Sequence, residues 1–387
     1  MVVYPEGVWY RHVQVADVPE IVGTHLIGGR AVERLMWSDS SAMKALAIER
    51  REKSRAASRP YRETGPLPDR LEQMIRGFMP SRCILTALEI DLFTSIGEGA
   101  DCDHIATAIN ASPDGVGRLL NALVALGLLT KTGNEYHNTP DTGRYFVRGS
   151  RDDQRDGLLH TASLWHTWST LTTAVRRGTC IPVDHYSKHD WPRNFIIGMD
   201  RVATHWAPLV VNALGTSGIG RVLDLGGGSG AYSIALAKAA PGAHCEILDL
   251  PEVLPLTSEY VRKAGVSAQI TLRAGDLLDD EFGTGYDLVM LNAICHMFSV
   301  EQNRDLLRRT FKALAPKGRL AVQDFILNRE KTGPPQAALF SLNMLVGTSA
   351  GATYNQTEYF EWMNSAGFSE IHRIKLGGPA DLIVGVR

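Results

Sequence analysis

The chain has few cysteines and no spacing typical of metal ligands. Its five cysteines are scattered and odd in number, which predicts reduced thiols in a reducing compartment rather than a disulfide framework. The twelve histidines form no metal constellation either, because His185 and His189 lie in a loop rich in proline and aspartate. We therefore expect no catalytic metal.

Long apolar runs and an excess of one charge are also missing. No segment approaches the roughly 18 consecutive apolar residues of a membrane-spanning helix, and residues 1–12 lack the basic and apolar regions of a signal peptide. Lysine and arginine total 40 against 42 aspartate and glutamate, a formal net charge of -2, whereas a polyanionic partner needs a basic surface. We expect a cytoplasmic protein with no membrane and no nucleic-acid partner.

The most informative stretch of the sequence is residues 221–250. An apolar run at 222–225 breaks into five residues of which four are glycine, residues 231–240 have helical periodicity, and a second apolar run at 245–248 ends in Asp249. This order is typical of a nucleotide-binding βαβ unit, where glycines let the backbone approach the ligand and a carboxylate accepts hydrogen bonds from ribose hydroxyls. The candidate cofactor residues here are Asp224, Gly226, Gly228, Gly230, Asp249 and Leu250.

The glycines alone do not identify the nucleotide. Gly226, Gly228 and Ala231 also fit the G-x-G-x-x-A pattern of NAD binding. Downstream, a third strand at 269–273 is followed by Asp276, an acid that can reach an adenine amino group. A fourth strand at 286–292 is followed by His296, on the edge of an open α/β sheet where ligands bind.

Four motifs occur in a specific order: D-x-G-G-G-S-G at 224–230, L-D-L-P at 248–251, G-D-L-L at 275–278 and N-A-I-C-H at 292–296. Together they resemble the class I S-adenosylmethionine (SAM) methyltransferases. Within this class the chain is similar to the small-molecule O-methyltransferase family that includes plant caffeate, animal acetylserotonin, and bacterial antibiotic and bacteriochlorophyll methyltransferases. The resemblance covers roughly residues 70 to 387.

The resemblance implies an α/β fold, in which a mostly helical, winged-helix-like dimerisation domain precedes a Rossmann-like SAM-binding domain. It further implies SAM as cofactor, a homodimer, and methyl transfer to a hydroxyl of a small, aromatic or polyketide-like acceptor. Leu277 and Asn292 stand on the adenine side, where plant members often carry methionine and lysine. Both are further candidate cofactor residues.

The resemblance implies that His296 is the general base and that Asp324, after the fifth strand, orients it. Two departures weaken this assignment: Met297 and Phe298 replace the usual Asp-Trp, and Thr353 stands where a second carboxylate is usual. If His296 only fills the pocket floor, positioning alone could methylate an acidic phenol or a carbon nucleophile. C-methylation, a non-methylating SAM reaction and a non-catalytic dimeric SAM-binding protein therefore remain alternatives.

Acceptor residues are expected among the helices that connect the two domains. Residues 164–171 and 193–199 are rich in aromatic and polar side chains, which suits a flat ring compound but equally suits an ordinary helical core. The candidate acceptor residues are His166, Met199 and Asn343.

The chain is long enough for two domains, each with its own core, since 44% of its 387 residues are hydrophobic. We predict an N-terminal extension and linker at 1–68, a dimerisation domain at 69–156, and connecting helices with the catalytic domain at 157–387. Residues 1–36 are predicted to form a strand, a turn at 5–7, a second strand and a short helix. They resemble the carboxyl-terminal end of thioredoxin-like [2Fe-2S] ferredoxins, but without cysteines. A further helix is predicted after Ser38, and an exposed linker at 50–68.

The dimerisation domain is predicted from helices at 84–90, 102–110 and 115–128, followed by a hairpin whose turn is 132–134. Three helices and a hairpin are typical of a winged helix, whose last helix can read DNA. Here that helix carries one cation, Arg118, and is otherwise mostly apolar, which favours burial over DNA binding, and the family resemblance implies that it is buried in a dimer interface. Beyond residue 318 we predict a fifth strand at 319–324, a helix at 357–367 and an antiparallel strand pair at 371–375 and 381–386.

Overall fold

The computed structural model describes residues 2–3, 8–10, 13–36, 67–182 and 191–387. The chain divides into two compact units, residues 1–75 and 76–387. The turn predicted at 5–7, the helix after Ser38 and the loop with His185 and His189 lie outside the described residues, as does the predicted linker apart from residues 67 and 68.

The small N-terminal unit contains the predicted pair of strands and a helical segment. Strands β1 (Val2–Val3) and β2 (Val8–Trp9) pair antiparallel. A 3-10 turn (Val15–Asp17), α1 (Val18–Glu20) and a π-helical segment (Ile21–Ile27) follow without a break, and a second 3-10 turn spans Glu33–Leu35. The core is formed by Tyr10, Ile21, Val32 and Leu35.

The second unit begins with the predicted winged-helix arrangement. A helix, α2 (Asp69–Arg76), precedes it in the chain. A short strand that the sequence did not predict, β3 (Ala100–Asp101), pairs with the second strand of the hairpin. The helices are α3 (Phe78–Glu89), α4 (Leu92–Ile96), α5 (Cys102–Ala108), α6 (Pro113–Ala125) and α7 (Pro140–Tyr145); the hairpin strands are β4 (Leu129–Thr132) and β5 (Glu135–Asn138).

One expectation about this domain is corrected. The apolar face of α6, with Val116, Leu120 and Leu123, is buried in the domain's own core. It therefore cannot also serve as an exposed dimer interface. The prediction was wrong because periodicity reports that a helix face is buried, but not against which partner.

Three helices connect this domain to the sheet, two of them long: α8 (Arg155–Trp168), the short α9 (Leu171–Arg177) and α10 (Trp191–Leu214). Helices α8 and α10 approach closely where glycine faces glycine. A Cβ added at Gly198 would lie 3.5 Å from the Cα of Gly157 and 3.3 Å from the Cβ of His160. Helix α8 thus packs on both α10 and α3.

The carboxyl-terminal part is a doubly wound sheet, as predicted. In space the strands run β12-β13-β10-β9-β6-β7-β8, with β11 beside β10. The sheet is parallel from β8 to β10, and β13 is antiparallel to both of its neighbours. The strands are β6 (Arg221–Leu225), β7 (His244–Asp249), β8 (Ile270–Ala274), β9 (Tyr286–Asn292), β10 (Leu314–Leu327), β11 (Tyr354–Asn355), β12 (Ser369–Ile374) and β13 (Ala380–Val386).

Helices cover both faces of this sheet. Adjacent residues Val222 and Leu223 of β6 point into different cores, as the two-residue period of a strand requires. The remaining helices are α11 (Ala231–Ala239), α12 (Leu254–Ala264), α13 (Val300–Ala313), α14 (Pro335–Gly347) and α15 (Gln356–Ala366). No helix within the described ranges has the length and apolarity that crossing a membrane would demand.

The strand order fixes where a ligand can bind. From β6 the chain moves outward to β7 and β8, and then returns to the other side of β6 for β9 and β10. The carboxyl ends of β6 and β9 therefore lie side by side at the point where the order reverses. Open α/β sheets bind their ligands at this switch point, and both the glycine loop and His296 follow strands that end there.

Candidate active site

The glycine loop after β6 forms a cradle made of backbone. Gly226, Gly228 and Gly230 all have positive φ angles, +68°, +57° and +79°. A Cβ at Gly226 would lie 2.4 Å from the terminal methyl of Ile294, so another residue would have to displace that side chain as well as strain the backbone at a positive φ. At Gly228 the nearest atom to an added Cβ is a methyl of Ile196 at 3.7 Å. This leaves room for a ligand to approach the backbone.

Asp224 and Asn292 are buried polar groups at the switch point. Oδ2 of Asp224 accepts a hydrogen bond from the Ser233 hydroxyl at 2.7 Å, whereas its Oδ1 and the side-chain amide of Asn292 make no hydrogen bond of normal geometry to a described residue, although Asn292 lies near enough to lower the pKa of Asp224. Burial raises the pKa of Asp224 to about 6, and the charge of Asp249 adds to the effect while the Ser233 bond opposes it. Unpaired buried polar groups are costly, which is typical of a site whose ligand supplies the missing partner.

Asp249, the last residue of β7, can accept more hydrogen bonds than it receives from the protein. Its Oδ2 accepts from the backbone N–H of Gly228 at 2.7 Å, and its Oδ1 from that of Leu250 at 2.8 Å. Each carboxylate oxygen has two lone pairs, so one acceptor position per oxygen is left for a pair of ribose hydroxyls. Burial raises the pKa of Asp249, although the two backbone hydrogen bonds work against this rise.

The loop after β8 carries the two residues expected on the adenine side. Asp276 is exposed and accepts from the backbone N–H of Leu278 at 2.8 Å, while Leu277 is buried. Arg309 of α13 donates to the carbonyl oxygens of Leu277 and, at 2.9 Å, of Asp280. The loop is thereby held against α13, with the Asp276 carboxylate open to solvent.

These features fit SAM, although no ligand is part of the structure. The cradle that a Cβ would fill accommodates a close backbone contact. The two spare acceptor positions on Asp249 suit a ribose, and the orphaned Oδ1 of Asp224 suits a polar or positively charged group. No cluster of His, Cys, Asp and Glu side chains in the described part of the chain could hold a metal ion.

His296 forms a buried pair with Asp324. The imidazole Nδ1 lies 2.7 Å from Oδ1 of Asp324, and the His296 backbone N–H donates to Oδ2 at 3.0 Å. A carboxylate can only accept, so we assign the shared proton to Nδ1, which leaves a lone pair on Nε2. This arrangement holds the histidine in the tautomer that a general base requires.

A strained turn carries His296 to the sheet edge. Ala293 has a φ of +56°, uncommon for a residue other than glycine, and its N–H donates to the Gln323 carbonyl at 2.8 Å. The chain then enters a 3-10 turn, Cys295–Met297, that contains His296. Such strain persists only where the surroundings enforce it and is concentrated at functional sites. The sequence did not reveal this turn.

Aromatic side chains pack around His296. Phe340 of α14 meets the His296 ring edge to face at 4.8 Å between centroids and stacks on Phe325 at 4.1 Å. One turn along α14, Oδ1 of Asn343 accepts from the indole N–H of Trp168 at 2.8 Å. Asn343 therefore lies one helical turn from Phe340, with its side-chain oxygen already bonded to Trp168, and its role in acceptor binding stays a prediction.

The structure does not bring all predicted acceptor residues to this place. His166 is exposed on α8, and residues two apart lie on nearly opposite sides of a helix, so Trp168 rather than His166 points towards Asn343. Met199 is half-buried on α10, and its role stays a prediction. Thr353, in the position of the missing second carboxylate, is buried, and its hydroxyl has no partner among the described residues.

Several contacts were missed at the sequence level. Thr257 of α12 donates its hydroxyl to the Gly228 carbonyl at 2.6 Å and so fixes the glycine loop. Arg309 holds the adenine-side loop, and Tyr359 of α15 donates to Asp324. Each is distant in the chain from its partner and belongs to no recognisable motif. Only the helical spacing of the apolar residues around them could have indicated that they point inward.

Comparison with family models gives two matches. The O-methyltransferase domain model matches residues 176–369, and the O-methyltransferase dimerisation domain model matches residues 72–148. The first covers the candidate site and the second covers the winged-helix arrangement.

Individual proteins agree with these matches. The chain is 31% identical over 331 residues to 3-hydroxy-5-methyl-1-naphthoate 3-O-methyltransferase of Streptomyces sahachiroi, covering 83% of this chain and 95% of the relative. The structure of human N-acetylserotonin methyltransferase in complex with SAM superposes with a TM-score of 0.73 and 26% identity over 84% of this chain and 99% of that one. L-tyrosine C(3)-methyltransferase of Streptomyces lavendulae is 38% identical over 161 residues, 41% of this chain and 44% of the relative.

Proposed function

The chain belongs to the O-methyltransferase family, whose members use SAM, and from this premise we propose that His296 removes the proton of the acceptor hydroxyl to which the methyl group is transferred. The observation that carries this proposal is the His296–Asp324 pair at the carboxyl end of β9, next to the glycine cradle at the end of β6. The acceptor that we propose is a small, flat aromatic or polyketide-like molecule.

We assign cofactor contacts residue by residue. Asp249 would accept from the ribose hydroxyls, Asp276 from the adenine amino group, and Leu277 and Asn292 would flank the adenine. Gly226, Gly228 and Gly230 would present backbone to the ligand, with Asp224 beneath them and Leu250 at the rim. SAM, when bound, supplies a methyl group on a sulfonium ion, which is already a strong electrophile.

The chain's own task is then to position the acceptor and to move a proton. Nε2 of His296 takes the hydroxyl proton, and the imidazolium that results is stabilised by Asp324, which accepts from Nδ1 at 2.7 Å. Because the pair is buried, water does not weaken this interaction. General-base catalysis of this kind contributes roughly 100- to 10,000-fold to a rate.

The stacked Phe325 and Phe340 support an aromatic acceptor. A flat ring can extend this stack and bring its hydroxyl to His296, whose imidazole packs against the edge of Phe340. The name of the naphthoate relative describes methyl transfer to a molecule of this kind. Met199, His166 and Asn343 remain candidates for the outer part of the pocket, with Trp168 added by the structure.

C-methylation is the second candidate, and one observation favours it. The relative with the greater local identity, 38% over 161 residues, is a tyrosine C(3)-methyltransferase. Removing the proton of a phenol also raises the electron density at the neighbouring ring carbon, so the same base serves both outcomes. Nuclear magnetic resonance of the product separates them, because an O-methyl and a ring C-methyl group resonate at different shifts.

The experiment that tests the proposal begins with calorimetric titration. We expect binding of SAM and of S-adenosylhomocysteine, and none of NADH. Transfer of labelled methyl from SAM to a panel of hydroxynaphthoates and other polycyclic phenols should then give O-methyl products. Failure to bind either sulfur ligand would overturn the cofactor assignment. Binding without transfer to any phenol of the panel would favour the non-methylating alternatives.

We also propose a homodimer, held by a surface different from α6. Phe78 and Met79, at the start of α3, are 50% and 48% exposed, and both lie in the segment that matches a dimerisation domain, residues 72–148. Large exposed apolar patches are typical of interfaces. Phe78→Glu should give monomers in light scattering, while Leu209→Glu, an equally apolar exposed position elsewhere, should not. A dimeric Phe78→Glu protein would argue against this surface.

A further inference from the structure

Asp324 accepts more hydrogen bonds than the pair with His296 explains. Its Oδ1 accepts from Nδ1 of His296 at 2.7 Å and from the Phe325 backbone N–H at 2.8 Å. Its Oδ2 accepts from the His296 backbone N–H at 3.0 Å and from the hydroxyl of Tyr359 at 3.2 Å. Three of these donors belong to the strand end and turn that carry the pair, whereas Tyr359 comes from α15.

We infer that Tyr359 is a positioning residue for the base: its hydroxyl fixes Oδ2 of Asp324, which keeps Oδ1 aligned on the imidazole of His296. The inference rests on the proposed function, because it assigns a role within the same proton-transfer site. It extends that site to a third side chain, 35 residues beyond Asp324 in the chain.

The geometry explains why a second donor on Oδ2 matters. A carboxylate can rotate about its terminal side-chain bond, whose energy profile is broad. With two donors on each oxygen, rotation breaks several hydrogen bonds at once, so the Asp324 plane is fixed. Without the Tyr359 hydroxyl, Oδ2 keeps only the backbone N–H of His296. The orientation of the imidazole then depends on a less restrained acceptor.

Tyr359 is itself held rigidly and acts only as a donor towards Asp324. Its side chain is fully buried, and its ring packs against Trp362 at 5.3 Å and Tyr354 at 6.2 Å between centroids. Burial, with the charge of Asp324, raises the pKa of Tyr359 well above its usual range. The hydroxyl therefore keeps its proton wherever the protein is folded and active, and it supports Asp324 without titrating.

The neighbouring Thr353 does not supply this support. Its hydroxyl is buried but makes no hydrogen bond to any described residue. Among the hydrogen bonds of the described residues, the support for the Asp324 carboxylate from α15 thus comes from the Tyr359 hydroxyl. The alternative role for Tyr359 is simply to fill the core beside Trp362, and the experiment must separate the two.

Tyr359→Phe removes the hydroxyl and keeps the ring. Tyr354→Phe is the matched control, since Tyr354 is also buried and also packs on Trp362, but its hydroxyl donates to the Phe298 carbonyl at 2.5 Å rather than to Asp324. We expect kcat of Tyr359→Phe on an ordinary phenol to fall about tenfold, the worth of one hydrogen bond to a charged group. SAM affinity should stay within about twofold, and Tyr354→Phe should keep kcat within about twofold.

Two further readouts distinguish positioning from core packing. On a phenol that is already ionised at the assay pH, Tyr359→Phe should transfer methyl at nearly the parent rate, because no proton has to be removed. The Nδ1–H proton resonance of His296 should move in Tyr359→Phe and stay in Tyr354→Phe, whether or not an acceptor is present. An unchanged resonance together with an unchanged kcat, or equal losses in both variants on both acceptors, would overturn the inference.

The same experiment keeps failure of the proposed function separate. If the parent enzyme transfers methyl but Tyr359→Phe matches it, only the role of Tyr359 is lost. If the parent enzyme transfers methyl to no phenol, the proposed function fails, and the His296 resonance still reports whether Tyr359 aligns the pair.

Discussion

The cofactor side and the acceptor side of the site are built in different ways. On the cofactor side, Asp249 and Asp276 accept hydrogen bonds from backbone N–H groups one and two residues further along the chain. On the acceptor side, His296 and its partner Asp324 are 28 residues apart, and Trp168 and Asn343 are 175 apart. The first side is built mostly from segments close together in the chain, with Gly228 and Arg309 contacting their partners from 21 and 32 residues away, whereas the second side forms only when distant elements pack.

This difference implies that binding the cofactor and removing the proton are separable. Each carboxylate on the cofactor side is oriented without help from His296, and the His296 pair is oriented without help from the glycine loop. Substitutions on one side should therefore leave the function of the other intact.

The largest effect is expected on the acceptor side. His296→Ala should lower the rate of methyl transfer by roughly 100- to 10,000-fold, the usual worth of a general base, while SAM affinity stays unchanged. Single-turnover transfer of labelled methyl and calorimetry give the two quantities. His372→Ala, at an exposed histidine of β12, is the control. A comparable loss of SAM affinity in His296→Ala would show that the two sides are not separable.

The converse experiment removes a carboxylate from the cofactor side. Asp249→Ala should weaken SAM binding by about 100-fold or more, because two hydrogen bonds to a carboxylate are lost together with the acceptor that holds Gly228. Glu252→Ala, which removes an exposed carboxylate nearby, should bind SAM as the parent does. Calorimetric titration measures both. Unchanged affinity in Asp249→Ala would remove it from the site.

A smaller effect concerns stability and its dependence on pH. Since the pKa of folded Asp224 is raised from 3.8 to about 6, the folded state holds this proton more tightly than the unfolded chain. The buried charge therefore destabilises the fold progressively between about pH 4 and pH 6, by about 3 kcal/mol once both states are ionised. Asp224→Asn has no charge at this position. Its gain in free energy of unfolding over the parent should therefore be absent near pH 4 and complete above about pH 7.

Thermal unfolding at these two pH values measures that difference, and titration with SAM completes the test. The variant should unfold a few degrees higher than the parent at neutral pH, yet bind SAM about tenfold more weakly, the scale of one lost charged contact. Ser233→Ala, which removes the donor to Asp224, should shift stability in the opposite direction. A variant with the stability of the parent at every pH would contradict the account of Asp224.

The same contrast explains what could be predicted from sequence. The βαβ unit, the order of acids after β7 and β8, and the position of His296 follow from short segments with a strong period or a glycine turn. These elements are fixed by residues close together in the chain, so sequence patterns contain them. Asp324 is predicted from the family resemblance, which implies a carboxylate at the end of the fifth strand, whereas in the structure it lies within β10, which continues to Leu327.

The remaining features depend on packing that no local pattern encodes. His166 and Trp168 lie on the same helix, and its pattern of polar and apolar residues does not show which of the two side chains points towards Asn343. The structure shows that it is Trp168. The apolar face of α6 packs into its own domain, although the sequence equally allowed a partner subunit. Tyr359 reads as an ordinary core residue until α15 brings its hydroxyl to Asp324.

The central claim is that His296 removes the acceptor proton, and the acidity of the acceptor tests it most directly. The measurement is the rate of methyl transfer by His296→Ala, relative to the parent enzyme, on an ordinary phenol and on a nitro-substituted analogue already ionised at the assay pH. The account predicts a loss of roughly 100-fold or more on the first and nearly the parent rate on the second. Equal losses on both acceptors would contradict the role of a base and leave His296 as a residue that only shapes the pocket.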